Sequence, residues 1–330
     1  MLLAAVGIVA NPVSGKDIRR LVAHGSVFDN QEKVRIVRRI LKGLEATGTE
    51  QVFYMPDSYA IVGRALRGCA VSMDVTPVPM TLTDSQDDST TAAAWMEANG
   101  VGCIVVLGGD GTCRAVVKGT RRIPLLPIST GTNNVFPSFM EATIAGLTAG
   151  LAARRSHQAE DLGYRSCCLE ILSGDTVLDV ALVDVAVHEG SFIGARAVWD
   201  VDKLSQIFLS RCRPESIGLS AVGGQLLTIE PQDPVGLHIL LGNGSKRVSA
   251  AIAPGLFRQV PIASYETMSP LKAYPVLSDR CVLALDGERE VEVTPSRPVR
   301  VRLSIQGPVV VDAAKVMRRA QKDGVFVSTH

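Results

Sequence analysis

Cys103-Ile104-Val105-Val106-Leu107-Gly108-Gly109-Asp110-Gly111-Thr112 begins as an unbroken apolar run and ends in a glycine-rich turn around one carboxylate. A run that is apolar at every position, without alternation, suits a strand buried on both faces. Gly108 and Gly109 permit positive φ and let the backbone approach a ligand with no Cβ in the way. Asp110 then stands at the carboxyl end of a strand and beside a helix start. A carboxylate there can accept a proton from a substrate hydroxyl, or help to hold Mg2+.

The flanking sequence alternates strand and helix. Residues 3–10 read as a strand. Residues 29–46 read as a helix, with Val34, Val37, Leu41 and Leu44 spaced by three and four. Asp29 and Glu32 resemble a capping box in front of it. Strands follow at 51–55 and 71–77, and helices at 58–67 and 88–99. Residues 124–128 read as a strand and 139–154 as a helix. Such alternation predicts right-handed βαβ units and a parallel sheet with helices on both faces. Sheets of this kind bind ligands beyond the carboxyl ends of their strands.

From about residue 161 the texture changes. Residues 177–188, 225–229, 237–241, 281–285, 291–294 and 299–305 read as strands separated by Gly, Pro, Asp and Ser turns. The expected fold is therefore an α/β N-terminal domain with a parallel sheet, residues 1–158, followed by a β-rich, antiparallel, sandwich-like second domain, residues 159–307. Residues 311–321 return to helical spacing, so 308–330 are expected to pack back on the first domain.

Two more strands of the first half end in polar turns. Asn11-Pro12-Val13-Ser14-Gly15-Lys16 follows the first strand and leads into a helical pattern at 17–24. Backbone N–H groups and the dipole at a helix start attract anions, Ser14 adds a hydroxyl, and Lys16 adds a compact positive charge. Ala10 stands where a Walker loop needs its first glycine, and Asp17 follows the lysine, so this is not that loop. Ser129-Thr130-Gly131-Thr132-Asn133-Asn134 follows residues 124–128 and combines hydroxyl and amide donors with one glycine. In the second half, Asp286-Gly287-Glu288 sets two carboxylates around a glycine. Each motif alone also fits an ordinary turn. Together, three loops at one end of one sheet would surround a single cleft.

Composition narrows the alternatives. Net charge is +1, so no broad basic field argues for nucleic acid. Seven cysteines without CxxC spacing fit reduced thiols and a cytoplasmic location. The apolar residues 2–10 are too few to span a bilayer, so no stable membrane insertion is expected. The histidines lack HxxxH or HExxH spacing, and no G-x-S-x-G elbow occurs. Cys113 is expected to be a small buried residue. Lys33, Arg35, Arg38, Arg39 and Lys42 are expected to form a solvated basic face.

These motifs resemble the NAD kinase and diacylglycerol/sphingosine kinase superfamily across nearly the whole chain. The likeness rests on Asn11-Pro12-x-Ser14-Gly15, Gly108-Gly109-Asp110-Gly111-Thr112, Gly131-Thr132-x-Asn134 and Asp286-Gly287-Glu288. Segments 10–23 and 128–137 are similar more particularly to its acetoin-catabolism X branch. The resemblance implies an NAD kinase-like two-domain architecture with a cleft between the halves. It implies ATP and Mg2+ as cofactors and NAD as a possible acceptor. It makes Asp110 the catalytic base and a tentative Mg2+ ligand. Asn11, Ser14, Gly15, Lys16, Gly108, Gly109, Gly111, Thr112, Gly131, Thr132, Asn133 and Asn134 would surround the nucleotide phosphates. Asp184, Asp286 and Glu288 would support the acceptor or the metal. The expected partners are a small-molecule nucleotide and an alcohol acceptor, and the expected assembly is a homo-oligomer.

The sequence departs from the NAD kinases at two places. Val183 replaces their asparagine before the acid Asp184, and Glu215-Ser216-Ile217-Gly218-Leu219 does not reproduce the segment that precedes their Ser-Ala-Gly-Gly turn. Both changes fall where that family holds the dinucleotide. An ATP-dependent kinase with an alcohol acceptor is the leading expectation. A lipid or polyol kinase and a non-catalytic nucleotide-binding regulator are the alternatives.

Overall fold

The computed structural model describes residues 4–15, 29–155, 161–189 and 201–327. The first half alternates β1 (Ala5–Ala10), α1 (Asn30–Ala46), β2 (Gln51–Tyr54), α2 (Ile61–Leu66), β3 (Asp74–Pro77), α3 (Asp87–Ala98), β4 (Cys103–Gly108), α4 (Asp110–Gly119), β5 (Leu125–Ser129) and α5 (Ala142–Ala153). The second half adds β6 (Gly163–Arg165), β7 (Cys168–Ser173), β8 (Thr176–Ala181), β9 (Asp184–Glu189), β10 (Leu204–Leu209) and the short α6 (Leu219–Gly224). Then come β11 (Gly236–Ala253), β12 (Leu256–Met268), β13 (Ala273–Pro275), β14 (Cys281–Leu285), β15 (Glu288–Val293), β16 (Arg300–Ser304), β17 (Val309–Val311) and α7 (Ala313–Lys322).

The first sheet has the order β3-β2-β1-β4-β5-β17-β6. Its strands are parallel except β6, which runs antiparallel to β17. In β4, Cys103, Val105 and Leu107 face one core, and Ile104 and Val106 face the other. That division explains the unbroken apolar run, since both faces are covered. Helices α1, α2, α5 and α7 pack on one side, and α3 and α4 on the other. Asp29 caps α1 as its spacing predicts, accepting from Glu32 N–H at 2.7 Å. The strand order reverses direction between β1 and β4, which opens a crevice beyond their carboxyl ends.

The second half forms two antiparallel sheets, ordered β12-β11-β10-β9-β14-β15 and β13-β16-β7-β8. They face each other across one apolar layer that includes Val185, Val187 and Phe208 from the first and Leu169, Ile171, Val301 and Leu303 from the second. The architecture is thus a parallel-rich α/β half joined to an antiparallel, sandwich-like half. No helix among the described residues is long and apolar enough to cross a membrane.

Several sequence-based boundaries need correction. The strand expected at 177–188 is two strands in different sheets, β8 and β9. The chain turns at Leu182–Val183 because the Asp286 carboxylate gathers the amides of Leu182, Val183 and Asp184. Residues 225–229 are not a strand: they follow α6, and only Ile229 forms a bridge, with Cys212. The helix expected at 17–24 and the loop residue Lys16 lie outside the described residues. Lys33, expected on a solvated face, is wholly buried.

Candidate functional site

At the crevice, the three expected loops meet. The Asn11 side-chain amide donates to Thr112 Oγ1 at 2.9 Å, linking the loop after β1 to the first turn of α4. Ser14 Oγ lies 3.1 Å from Thr130 Oγ1, linking the same loop to the one after β5. Asn134 sets its Nδ2 on Ser129 Oγ at 2.8 Å and its Oδ1 against Gly109. Gly131 C=O accepts from Ser129 Oγ at 2.7 Å. Thr132 completes this loop. Helix α4 makes its first backbone bond from Cys113 N–H to Gly109 C=O, so its preceding amides stand outside its own ladder.

The glycines serve close packing more than unusual φ. Gly109 has φ −105°, and Gly108, Gly111 and Gly131 are not left-handed either. The positive φ that glycine permits is not used at the 108–109 turn. A Cβ on Gly108 would lie 2.4 Å from Thr112 Cβ, one on Gly109 2.7 Å from Asn134 Oδ1, and one on Gly111 2.8 Å from Glu288 Oε1. Gly15 alone among the predicted site glycines is left-handed, at φ +78°. It ends the described part of the first loop.

Lys33 is the residue that reasoning from sequence missed here. Its ammonium donates to Asn11 C=O at 2.8 Å, Ser14 C=O at 2.6 Å and Asn30 Oδ1 at 3.1 Å. It therefore holds the first loop from beneath. One signal existed: Lys33 adjoins Val34 on a helix whose apolar stripe faces the sheet.

Asp110 begins α4. Its Oδ1 accepts from Val135 N–H at 3.1 Å and Phe136 N–H at 2.7 Å, and its Oδ2 shares the Val135 N–H at 3.1 Å. These bonds fix the carboxylate's orientation. Asp286 has φ +51° and is buried, as its carboxylate caps the amides of residues 182–184. Burial raises the Asp286 pKa above its ordinary value, against the opposing pull of Arg114 and those amides. Asp184 is buried beside it.

Asp110, Asp184 and Asp286 converge on one cleft between the two halves, with about 470 Å³ of empty space including its open mouth. Asn133 lines it too, and its buried Oδ1 has no hydrogen-bond partner among the described residues. Glu288 is placed differently. It accepts from Gln86 Nε2 and abuts Gly111, and it is not one of the residues lining this cleft. Two arginines absent from the sequence reading stand behind the carboxylates. Arg114 lies 3.3 Å from Asp179 and 4.0 Å from Asp286. Arg211 sits over the Phe136 ring at 4.9 Å and donates to Ser166 Oγ and to the carbonyls of Cys167 and Leu182. Neither lies in a motif with a recognisable spacing. Cys113 is buried as expected, and burial followed by Asp110 and Asp286 pushes its thiol well above the ordinary value. Val183 is fully buried in the core, so it offers the cleft no polar group.

Residues 6–155 match the ATP-NAD kinase N-terminal domain, and residues 167–306 match the acetoin catabolism protein X C-terminal domain. Acetoin catabolism protein X of Cupriavidus necator is 38% identical over 330 residues, covering 96% of this chain and 92% of that protein. A Bacillus anthracis str. Sterne structure described as a diacylglycerol kinase aligns at 11% identity and a TM-score of 0.43, over 94% of this chain and 97% of its own. This chain belongs to the acetoin catabolism protein X family.

Proposed function

We propose that the protein is an ATP-dependent kinase that transfers the γ-phosphoryl group to an alcohol. The observation that carries this reading is the convergence of Asp110, at the start of α4, with Asp184 and Asp286 of the other half on one cleft. The nucleotide phosphates would rest against the N-terminus of α4 and the loops at 11–15 and 130–134, where backbone amides and the helix dipole favour anions. Asn11, Ser14, Thr112 and Thr130 are already tied to one another there. Such positioning is the main requirement of phosphoryl transfer.

Magnesium fits the donor set. The cleft offers carboxylates and the orphaned Asn133 Oδ1, all hard oxygen donors. Among the described residues no three acidic, His or Cys side chains converge as a metal site. Asn133 and a cleft aspartate would therefore hold the ion together with the nucleotide's phosphates, the usual arrangement for this metal. When bound, it neutralises charge on the β- and γ-oxygens. Asp110 would take the acceptor's proton, Asp184 would orient the acceptor, and Asp286 would hold the backbone that carries Asp184. NAD is one candidate acceptor.

The test is a transfer assay with purified protein and γ-labelled Mg-ATP, comparing the parent with Asp110→Asn. The substitution keeps the shape and removes the base. We expect turnover to fall about 10²–10⁴-fold. Near-parental turnover in a folded Asp110→Asn protein rejects this role for Asp110.

A further inference from the structure

We infer that Arg211 is a positioning residue of the cleft, a single buried guanidinium that sets the two turns orienting its aspartates. The inference rests on the kinase reading above and names the side chain that would keep Asp110 in register with Asp184 and Asp286. Arg211 follows β10 and is 4% exposed. Its Nη2 donates to three uncharged oxygens, Ser166 Oγ, Cys167 C=O at 3.3 Å and Leu182 C=O at 3.1 Å. Its buried Nε has no hydrogen-bond partner among the described residues. A buried charge is costly unless it is paired. The three acceptors of Arg211 are all neutral, so a structural ion pair does not account for it.

Two of its contacts lead to the aspartates. The guanidinium carbon lies 4.9 Å from the centre of the Phe136 ring, and the Phe136 N–H is the 2.7 Å donor to Asp110 Oδ1. Leu182, whose C=O accepts from Arg211, gives its own N–H to the Asp286 carboxylate. The amides of Val183 and Asp184 follow it, so this turn sets where β9 begins and where Asp184 stands. Ser210, the residue before Arg211, braces the same turn by donating its N–H to Val183 C=O at 2.9 Å and its Oγ to Leu182 C=O at 2.6 Å. Phe136 belongs to the first half and Leu182 to the second, so one side chain bridges the residues that orient the carboxylates of both.

The charge supports the same arrangement. Burial pushes the Arg211 guanidinium down, and Tyr164, Asp110 and Asp286 oppose that shift, which sets both carboxylates within the field of this cation. Arg211 is not one of the residues lining the cleft, so it acts through Phe136 and Leu182. Arginine suits the place because its planar fork reaches several acceptors while its face lies on an aromatic ring. Its backbone is held as well, since Ser220 Oγ donates to Arg211 C=O at 2.8 Å.

The test uses the full chain with γ-labelled Mg-ATP and three acceptor probes, NAD, propane-1,2-diol and dioctanoylglycerol. Arg211→Met removes the guanidinium and keeps much of the stem. Phe136→Leu removes the ring beside it and keeps the N–H that reaches Asp110. We expect each to lower kcat about 10²-fold, since a misplacement of about 1 Å in a reacting group has an effect of that size. The Kd of Mg-ATP, read by calorimetry, should change less than about threefold, because what is lost is orientation and not nucleotide binding. The double variant should fall little further than either single one, as expected of two residues that act through one contact. Parental kcat in either variant, or full additivity in the double, overturns the inference and leaves the kinase reading standing.

Hydrogen exchange gives a second readout that needs no turnover. In Arg211→Met the amides of Phe136, Leu182 and Val183 should exchange at least ~10-fold faster, while those of Val105 and Val106 in β4 keep parental rates. A rise spread evenly over the fold assigns Arg211 to general stability, and unchanged rates at Phe136 and Leu182 leave it without influence on the turns. Either result overturns the inference. If the parent transfers phosphate to none of the probes, the kinase reading falls, and the exchange pattern alone decides whether Arg211 couples the two turns.

Discussion

The Lys33 ammonium donates to Asn11 C=O, Ser14 C=O and Asn30 Oδ1, at a position without solvent exposure. A charge-assisted bond is stronger than a neutral one, and a buried acceptor left without a donor carries a desolvation cost. Lys33→Met keeps most of the apolar stem and removes the donating ammonium. We expect a loss of about 1–3 kcal/mol in stability, read by urea denaturation, together with a raised KM for ATP. The rise in KM is the informative part, because Asn11 and Ser14 lose their tether while Asp110 does not. A destabilised variant with parental KM would make Lys33 a core residue only. Its sequence neighbours hid this role. Arg35, Arg39 and Lys42 are exposed and ion-paired with Glu32 or Glu45, so the basic run contains both a solvated face and one buried tether. Residue type and spacing do not separate the two; the direction of each side chain does.

At the scale of elements, the parallel half was the legible part. Continuous apolar runs, helix spacing and the Asp29 cap each have a local cause, so β1, α1 and β4 fall where the pattern puts them. The second half was harder to read. Strand β8 passes to β9 at a two-residue turn fixed by Asp286, a carboxylate about a hundred positions away, and no local pattern reports such a contact. Strands β11 and β12 form a long hairpin whose outer positions are mostly exposed polar residues, which weakens the apolar signal. A third non-local feature is the contact of α1 with α5. Gly43 and Gly146 let these helices touch backbone to backbone, and a Cβ on Gly146 would lie 2.2 Å from Ile40 C=O. That carbonyl belongs to a helix and cannot swing aside. Gly146→Ala should therefore cost stability by overpacking, about 1–3 kcal/mol, despite alanine's better helix propensity. Denaturation midpoints that rise would show that α5 can shift freely on α1.

Across the whole molecule, the cleft depends on holding an α/β half and a β-rich half in fixed relation, since Asp110 and Asp184 come from different sides of it. Glu170 of β7 is one of the ties. It is largely buried, with Arg121 of the first half at 3.1 Å and Arg302 of β16 at 2.7 Å. Burial pushes the Glu170 carboxyl up, but the hydrogen bonds from Arg302 and Arg121 and their charges outweigh it. The net pKa lies below the ordinary 4.5. A carboxyl with a depressed folded pKa binds its proton less tightly in the folded state. Its contribution is present above the unfolded value near 4.5 and is lost as pH falls through the folded value. Glu170→Gln should cost about 1–3 kcal/mol at pH 7, since it leaves two arginines without their anion. The gap between parent and variant should then close as pH falls below 4.5, because protonated Glu170 resembles glutamine. Urea midpoints taken from pH 7 to pH 3 would follow this. A gap that stays constant with pH would assign the loss to packing and remove the charge as the tie between the halves.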